Sequence, residues 1–260
     1  MDQEERWLLN EKHEGEKSEG FFADLELLQN GIPLAYLIGS VPFLNCTIHL
    51  DSRPLIPRSE TEFWTEKAIE TIRNYVRNCE RTDGHKDAYE HVKILDLCAG
   101  SGAIGVAVAN AIPEAHVVFG EIEKEHLSTI AKNLLENDVP CTRYKIFQSD
   151  LFVNIENPFD FILTNPPYID PQIDRTEVSV KAYEPHRALY GGENGMECIR
   201  RILAEAPQYL TINGQLWIEH EPEQAEAIAE LATKYNFSSA THKDQYNTPR
   251  YSVLTRSALE

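Results

Sequence analysis

The chain has 260 residues, 42% apolar and 25% charged, which is enough to bury a full core and excludes a disordered polymer. Its 24 Lys and Arg face 42 Asp and Glu, a formal charge of −18 that argues against stable nucleic-acid binding, because gripping phosphates requires an excess of cations. No run approaches the roughly 20 apolar residues of a membrane span, and the acidic first 20 residues lack the pattern of a secretory or organellar presequence. A cytoplasmic protein with no membrane partner is therefore expected, and a monomer. Five cysteines without a CxxC pair and nine histidines without an HxxxH or HExxH pair predict reduced thiols and no metal site.

In chain order, residues 1–42 carry helical patterning. Phe21, Phe22, Leu25 and Leu28 recur at three- and four-residue spacing until Gly31-Ile32-Pro33 ends the helix. Residues 43–58 read as a β-hairpin linker, with the run FLNCTIHLDSRPLI turning at Asp51-Ser52-Arg53. Residues 59–260 form the main domain. Its first helix opens at Ser59, whose hydroxyl fits a capping box with Glu62, and buries Ile69, Ile72 and Val76. The polar stretch Arg81 to His91, with Asp83-Gly84, reads as a linker.

Beyond it, apolar runs of strand length (Lys93–Leu97, Val117–Gly120, Tyr144–Phe147, Phe159–Leu163, Gln215–Glu219) alternate with helical patterns. One helix places Leu127, Ile130, Ala131, Leu134 and Leu135 on a face; another places Ile199, Ile202, Leu203, Ala206 and Leu210. Such alternation predicts an α/β fold with a parallel, doubly wound sheet. A last run, Tyr251–Leu254, has no comparable helix before it, so it is expected to pair antiparallel, as in the seven-stranded, Rossmann-like variant of S-adenosylmethionine methyltransferases.

The segment Asp96-Leu97-Cys98-Ala99-Gly100-Ser101-Gly102-Ala103-Ile104-Gly105 follows the first of these strands and opens a helix. Glycines allow close backbone approach to a ligand, and the helix start offers free N–H groups. The letters also satisfy the dinucleotide fingerprint, with Glu121 about 20 residues on, so a nicotinamide dehydrogenase is the rival reading. Asp96 favours S-adenosylmethionine, because a carboxylate beside the loop repels a pyrophosphate and tolerates an ammonium and a sulfonium. Glu121, followed by Ile122, ends the next strand, where it can accept from both ribose hydroxyls. Asp150, followed by Leu151, closes the third and can accept from the adenine amino group. Three acids at consecutive strand ends point to one ligand site, at the sheet edge where open α/β folds bind ligands.

Asn165-Pro166-Pro167-Tyr168 follows the strand FDFILT at that same edge. An amide nitrogen is a poor nucleophile, since its lone pair is delocalised into the carbonyl. A site that methylates one must accept from both its N–H bonds and aim it at the methyl group. Asn165 offers a side-chain oxygen, also within reach of the cofactor, and Pro166 a carbonyl; the prolines fix φ, and Tyr168 can cover a planar group. A proline-rich turn would explain Asn-Pro-Pro alone, but not its place two strands after an acid-flanked glycine loop.

With these residues in view, the chain resembles the HemK/PrmC protein-glutamine methyltransferases over nearly its whole length. The matching stretches are GIPLAYLIGSVPF (31–43), LIPRSETE (55–62), ILDLCAGSGAIGVAVA (94–109), DLF (150–152), FDFILTNPPYI (159–169), EPHRALYGGENG (184–195) and the segment Glu219 to Gln224. The resemblance implies transfer of a methyl group from S-adenosylmethionine, leaving S-adenosylhomocysteine, to N5 of the glutamine in the Gly-Gly-Gln motif of a peptide-chain release factor. It also implies that Asn165 and Pro166 hold the glutamine amide, that the Gly100 loop, Glu121 and Asp150 hold the cofactor, and that residues 1–42 help dock the release factor. That helical region is about half the length expected of the family, and Glu121 stands where the family usually has Asp. No direct site role is expected of Arg58, Thr61, Glu62, Glu184 or Arg187. The alternative function is an adenine-N6 or other planar-nitrogen methyltransferase acting on nucleic acid or another protein.

Overall fold

The structure is a computed structural model and describes residues 1–83, 92–156 and 158–257. The chain opens with α1 (Gln3–Trp7), which runs into a π-helical turn, Leu8–Lys12. It continues through α2 (Glu19–Gln29) and α3 (Leu34–Ile38), which ends at left-handed Gly39. Leu8, Leu9, Phe21 and Leu37 close a small apolar cluster of their own between these helices, whereas Phe22 is 55% exposed.

A hairpin of β1 (Ser40–Phe43) and β2 (Cys46–His49) follows, and here the expected register is corrected. The hairpin turns at Leu44-Asn45, with Leu44 left-handed, so it begins before residue 43; Asp51-Ser52 is a second turn beyond it. The helix after it, α4 (Ser59–Asp83), starts where expected but without the expected capping box. Ser59 Oγ bonds its neighbour Glu60, and Glu62 Oε1 instead accepts the N–H of Leu44 at 2.5 Å. Glu62 therefore ties the hairpin turn to the helix. Of the expected linker Arg81–His91, the first three residues belong to α4 and the rest lie outside the described residues.

The chain then runs through β3 (Val92–Leu97), α5 (Ala103–Ala111), β4 (Ala115–Glu121), α6 (Lys124–Glu136), β5 (Tyr144–Gln148) and β6 (Phe159–Thr164). It continues with α7 (Val178–Tyr183), α8 (His186–Leu189), α9 (Glu197–Tyr209), β7 (Leu210–Glu219), α10 (Ala225–Lys234), β8 (Phe237–Lys243) and β9 (Pro249–Arg256). Among the described residues the main sheet has seven strands in the order β5-β4-β3-β6-β7-β9-β8, parallel as far as β7 and antiparallel at β9 and β8. The fold class is as the sequence predicts. Strand alternation sends Ile94, Val117, Phe119, Phe161 and Leu163 to the face covered by α4, α5 and α6, and Leu95, Leu97, Val118 and Ile162 to the face covered by α9 and α10. Gly105 lets α5 lie directly on the sheet: a Cβ there would sit 2.3 Å from the Phe119 ring and 2.9 Å from Asp96 Oδ2. The strand order reverses between β4-β3 and β3-β6, and the carboxyl ends of these strands open a crevice there.

Two expectations about elements change. The buried face of α6 is His126, Thr129, Ile130, Asn133 and Leu134, while Leu135 is 72% exposed, because α6 packs on the hairpin as well as on the sheet. Leu210 begins β7 rather than continuing α9.

Candidate active site

Two cavities meet at the switch-point edge. The first, about 380 Å³, lies over the carboxyl ends of β3, β4 and β5. Its wall includes Cys98, Ala99, Gly100, Ser101, Glu121, Ile122, Asp150, Leu151, Asn165 and Pro167, so most residues that the sequence assigns to a cofactor are brought together there. Its size and mixed lining fit a small organic ligand. Cys98, Gly100 and Gly102 have positive φ, which folds the glycine loop tightly, and Leu151, after β5, has positive φ on the other side of the opening.

Glu121 is 5% exposed and both its oxygens are engaged from the loop side. Oε2 accepts the N–H of Gly100 at 2.7 Å and Oε1 that of Glu123 at 2.8 Å. Each carboxylate oxygen has a further lone pair for a ligand hydroxyl. Asp150 sits on the rim, about half exposed, paired with Arg201 at 3.0 Å; Arg187 and Glu123 pair across another part of the wall at 3.1 Å.

Asp96 is placed differently from the expectation. It is fully buried and absent from either cavity wall; its Oδ2 accepts the N–H of Gly105 at 2.8 Å, inside the start of α5, while Oδ1 has no partner. Burial pushes its carboxyl well above the usual range. Its carboxylate thus faces the helix that carries the loop rather than the ligand space. Gly102 also lies behind the wall, as the left-handed residue that precedes α5.

The second cavity, about 420 Å³, is lined by Arg58, Pro166, Tyr168, Ile169, Arg175 and Val180 among others. It shares Leu55, Asn165 and Ala188 with the first. Asn165 therefore stands at the junction of the two spaces.

The stretches that the resemblance rests on converge on that junction. Arg58 Nη2 donates to Glu184 Oε1 at 2.6 Å, and Glu184 Oε2 accepts the N–H of Ile56 at 3.0 Å, joining LIPRSETE to EPHRALY. Three helix residues on from Arg58, Thr61 donates its hydroxyl to Glu219 Oε2 at 2.7 Å and takes the Asn165 amide N–H at 3.1 Å. Trp64 Nε1 donates to the same Glu219 oxygen at 2.7 Å, and the Tyr168 hydroxyl donates to its Oε1 at 2.9 Å. Glu219 is 1% exposed; burial raises its pKa, against which these three hydrogen bonds work. Tyr168, held by that carboxylate, has its own pKa raised well above the ordinary value by burial and by the neighbouring charge.

The backbone of Asn-Pro-Pro-Tyr is clamped from behind. Ile169 forms an isolated bridge with Tyr190, its N–H donating to the Leu189 carbonyl and its carbonyl accepting from Gly191, and Gln224 Nε2 donates to the Tyr168 carbonyl at 2.8 Å. Gly195 packs so closely on that carbonyl that a Cβ would lie 1.9 Å from it, which is why this loop carries glycine. The sequence reading missed Thr61 and Glu219 as site residues: Thr61 reads there as part of a helix start, and Glu219 as the end of a buried strand.

An open, doubly wound seven-stranded sheet with its last two strands antiparallel, a glycine loop and a clamped Asn-Pro-Pro-Tyr at its switch-point edge together define an S-adenosylmethionine-dependent methyltransferase. The family model called Methyltransferase small domain matches residues 85–183. A release factor glutamine methyltransferase of Francisella tularensis is 37% identical over 209 residues, 80% of this chain and 68% of the relative. A ribosomal protein uL3 glutamine methyltransferase of the same organism is 34% identical, over 72% of this chain and 56% of the relative. Among solved structures, a ribosomal protein L11 methylase from Lactobacillus delbrueckii shares the fold at 12% identity, with a TM-score of 0.55, over 80% of this chain and 83% of that one. The chain belongs to the release factor glutamine methyltransferase family.

Proposed function

We propose that this chain methylates N5 of the glutamine in the Gly-Gly-Gln motif of a peptide-chain release factor, with the cofactor in the first cavity and the glutamine reaching Asn165 through the second. The observation that carries the reading is the meeting of the two cavities at Asn165, whose amide N–H is taken up by Thr61, leaving its oxygen for an acceptor. Similarity to a release factor glutamine methyltransferase favours that substrate, and similarity to a uL3 methyltransferase makes another protein glutamine the neighbouring case. Both are consistent with a cytoplasmic protein. Residues 1–42 would help to dock the substrate protein, and residues 59–260 would carry the chemistry.

The first cavity suits S-adenosylmethionine. Glu121 presents paired acceptors for a ribose, the negative wall suits a cation, and the apolar surface of Ile122 and Leu151 suits adenine. When bound, the cofactor supplies an electrophilic methyl group on sulfur. The chain's own work is positional. Asn165 Oδ1 and the Pro166 carbonyl accept from the two N–H bonds of the glutamine amide and turn its nitrogen toward the first cavity. Tyr168, fixed by Glu219, lines the space behind. Alignment of this kind can supply much of the acceleration of an in-line displacement. The nitrogen becomes acidic only as it gains the methyl group, so no strong base has to stand beside it.

The test is methyl transfer to a purified release factor, with a Gly-Gly-Glu version and uL3 as parallel acceptors. Asn165→Ala is expected to fold and to bind S-adenosylhomocysteine like the parent, while turnover falls by about 10²-fold or more. Asn165→Asp keeps the shape and one acceptor oxygen and adds a charge that can face the sulfonium, so cofactor affinity holds or rises while turnover drops. Near-normal turnover of Asn165→Ala would show that Asn-Pro-Pro-Tyr is only a turn. Labelling of uL3 in place of the release factor would move the substrate.

A further inference from the structure

We infer that Thr61 and Glu219 form a one-way hydrogen-bond relay that fixes which end of the Asn165 amide faces the acceptor, which makes both of them positioning residues for methyl transfer. The inference rests on the reading of Asn165 as the holder of the acceptor amide.

An asparagine side chain has two ends of nearly equal shape and opposite function. Oδ1 toward the acceptor accepts from the substrate N–H; Nδ2 in the same place would meet it donor to donor. Asn165 lies beyond the end of β6 and must therefore be told which way to face. Glu219 supplies the direction. The indole N–H of Trp64 can only donate, and it points at Glu219 Oε2 from 2.7 Å, while the Tyr168 hydroxyl donates to Oε1. Both Glu219 oxygens thus already face donors, so Glu219 meets Thr61 as an acceptor and takes the hydroxyl proton of Thr61, also 2.7 Å from Oε2. What Thr61 Oγ1 has left is a lone pair, 3.1 Å from Asn165 Nδ2. The amide nitrogen is drawn to Thr61 and Oδ1 is left for the acceptor. Thr61 and Trp64 are three apart on α4, hence on one face, and Glu219 ends β7 beside β6. Thr61 and Glu219 are 4% and 1% exposed, so water competes little for these bonds. A merely structural Glu219 would need Trp64 and Tyr168 but not a hydroxyl at 61 that passes the polarity on.

Serine and alanine at position 61 leave the same missing methyl group and differ only in the hydroxyl. Thr61→Ala is expected to lower kcat about 10²-fold, and Thr61→Ser to stay within about tenfold of the parent. The difference between the two should lie in kcat and not in affinity for S-adenosylhomocysteine. At position 219, Glu219→Gln can still take the Trp64 and Thr61 protons on its Oε1, so it should recover at least about tenfold in kcat over Glu219→Leu. The sharper measurement is a double-mutant cycle: in an Asn165→Ala background there is no amide to orient, so Thr61→Ala should add little further loss. Equal kcat for Thr61→Ser and Thr61→Ala, or the same loss from Thr61→Ala with and without Asn165, overturns the relay. If Asn165→Ala itself keeps parent turnover, the reading of the site fails first. If it is slow while serine and alanine at 61 are equivalent, the relay alone fails.

Discussion

A single carboxylate shows how much of the site depends on geometry that a motif does not display. Glu121 reads from sequence as a ribose acceptor at a strand end, and it does line the first cavity, but it also holds the cavity's shape. With Gly100 N–H on one oxygen and Glu123 N–H on the other, both oxygens must be acceptors. Glu121→Ala removes the proposed ribose acceptor and frees both amides, and is expected to weaken S-adenosylhomocysteine binding by about 1–3 kcal/mol in calorimetry. Glu121→Gln is expected to lose nearly as much, since its NH₂ must face one of two backbone donors. NAD binding with no S-adenosylhomocysteine binding in the same titrations would instead support the dinucleotide reading of the glycine loop. Asp96 shows the opposite case. Its position in the sequence places it beside the loop, but direction is invisible there, and only the Phe119–Gly105 packing shows that it points into the start of α5. The place of Asn165, past the end of β6 at the edge shared with the glycine loop, was legible. Thr61 and Glu219 were not, because a polar residue in a helical turn and an acid closing an apolar strand look alike whether they are buried together or solvated apart.

At the scale of elements, the strands of the parallel half were legible because buried strands are short apolar runs between turns, and register then follows from the alternation of faces. The edge strand β8 was not: it has one buried residue, Phe237, followed by six exposed ones, so it offers no pattern to read. The hairpin's register was missed for a related reason. Its outer edge is satisfied by side chains of α6 rather than by a third strand. Asn133 Oδ1 accepts the N–H of His49 at 2.7 Å, and its Nδ2 donates to the carbonyls of His49 and Ser101. One turn on, Asn137 makes the matching pair with Thr47, 3.1 Å to its N–H and 2.9 Å to its carbonyl. Two amides four residues apart thus pair with β2 as a strand would, and Asn133, fully buried, ties the hairpin to the glycine loop through Ser101. Asn133→Ala removes three hydrogen bonds and leaves the half-buried His49 N–H without its partner, so a loss of about 2–4 kcal/mol is expected in urea unfolding. S-adenosylhomocysteine should bind more weakly as well, because Ser101 lines the first cavity. Asn137→Ala, at a more exposed position, should cost about 1–2 kcal/mol and leave the cofactor site alone. Equal effects of the two substitutions would remove Asn133 from any special coupling role.

At the scale of the whole molecule, the fold does not choose between a protein and a nucleic acid as the methyl acceptor, since one fold hosts both kinds of site. Charge bears on the choice more directly. An enzyme that methylates a base must hold the phosphates on either side of it and pay to draw the base from its stack, and that hold comes from unneutralised Lys and Arg. Here the net charge is −18, and the arginines that line the two cavities are already matched. Arg58 is paired with Glu184, Arg187 with Glu123, Arg201 with Asp150 and Arg175 with Glu223, all between 2.6 and 3.1 Å. A phosphate approaching either mouth meets carboxylates beside every one of these guanidinium groups, and binding would have to break pairs that offset part of its own attraction. A protein acceptor needs none of this, because a glutamine side chain is neutral and its approach is not governed by phosphate charge. The expected outcome in a tritium-transfer assay is labelling of the release factor and no labelling of duplex DNA. Fluorescence anisotropy should show only weak association with DNA at low ionic strength, lost steeply as salt rises, in keeping with a non-specific Kd of about 10⁻⁴ M or weaker under physiological salt. Sequence-specific adenine methylation at physiological salt would mean that these ion pairs open for a nucleic acid, and the acceptor would then be a base rather than a protein amide.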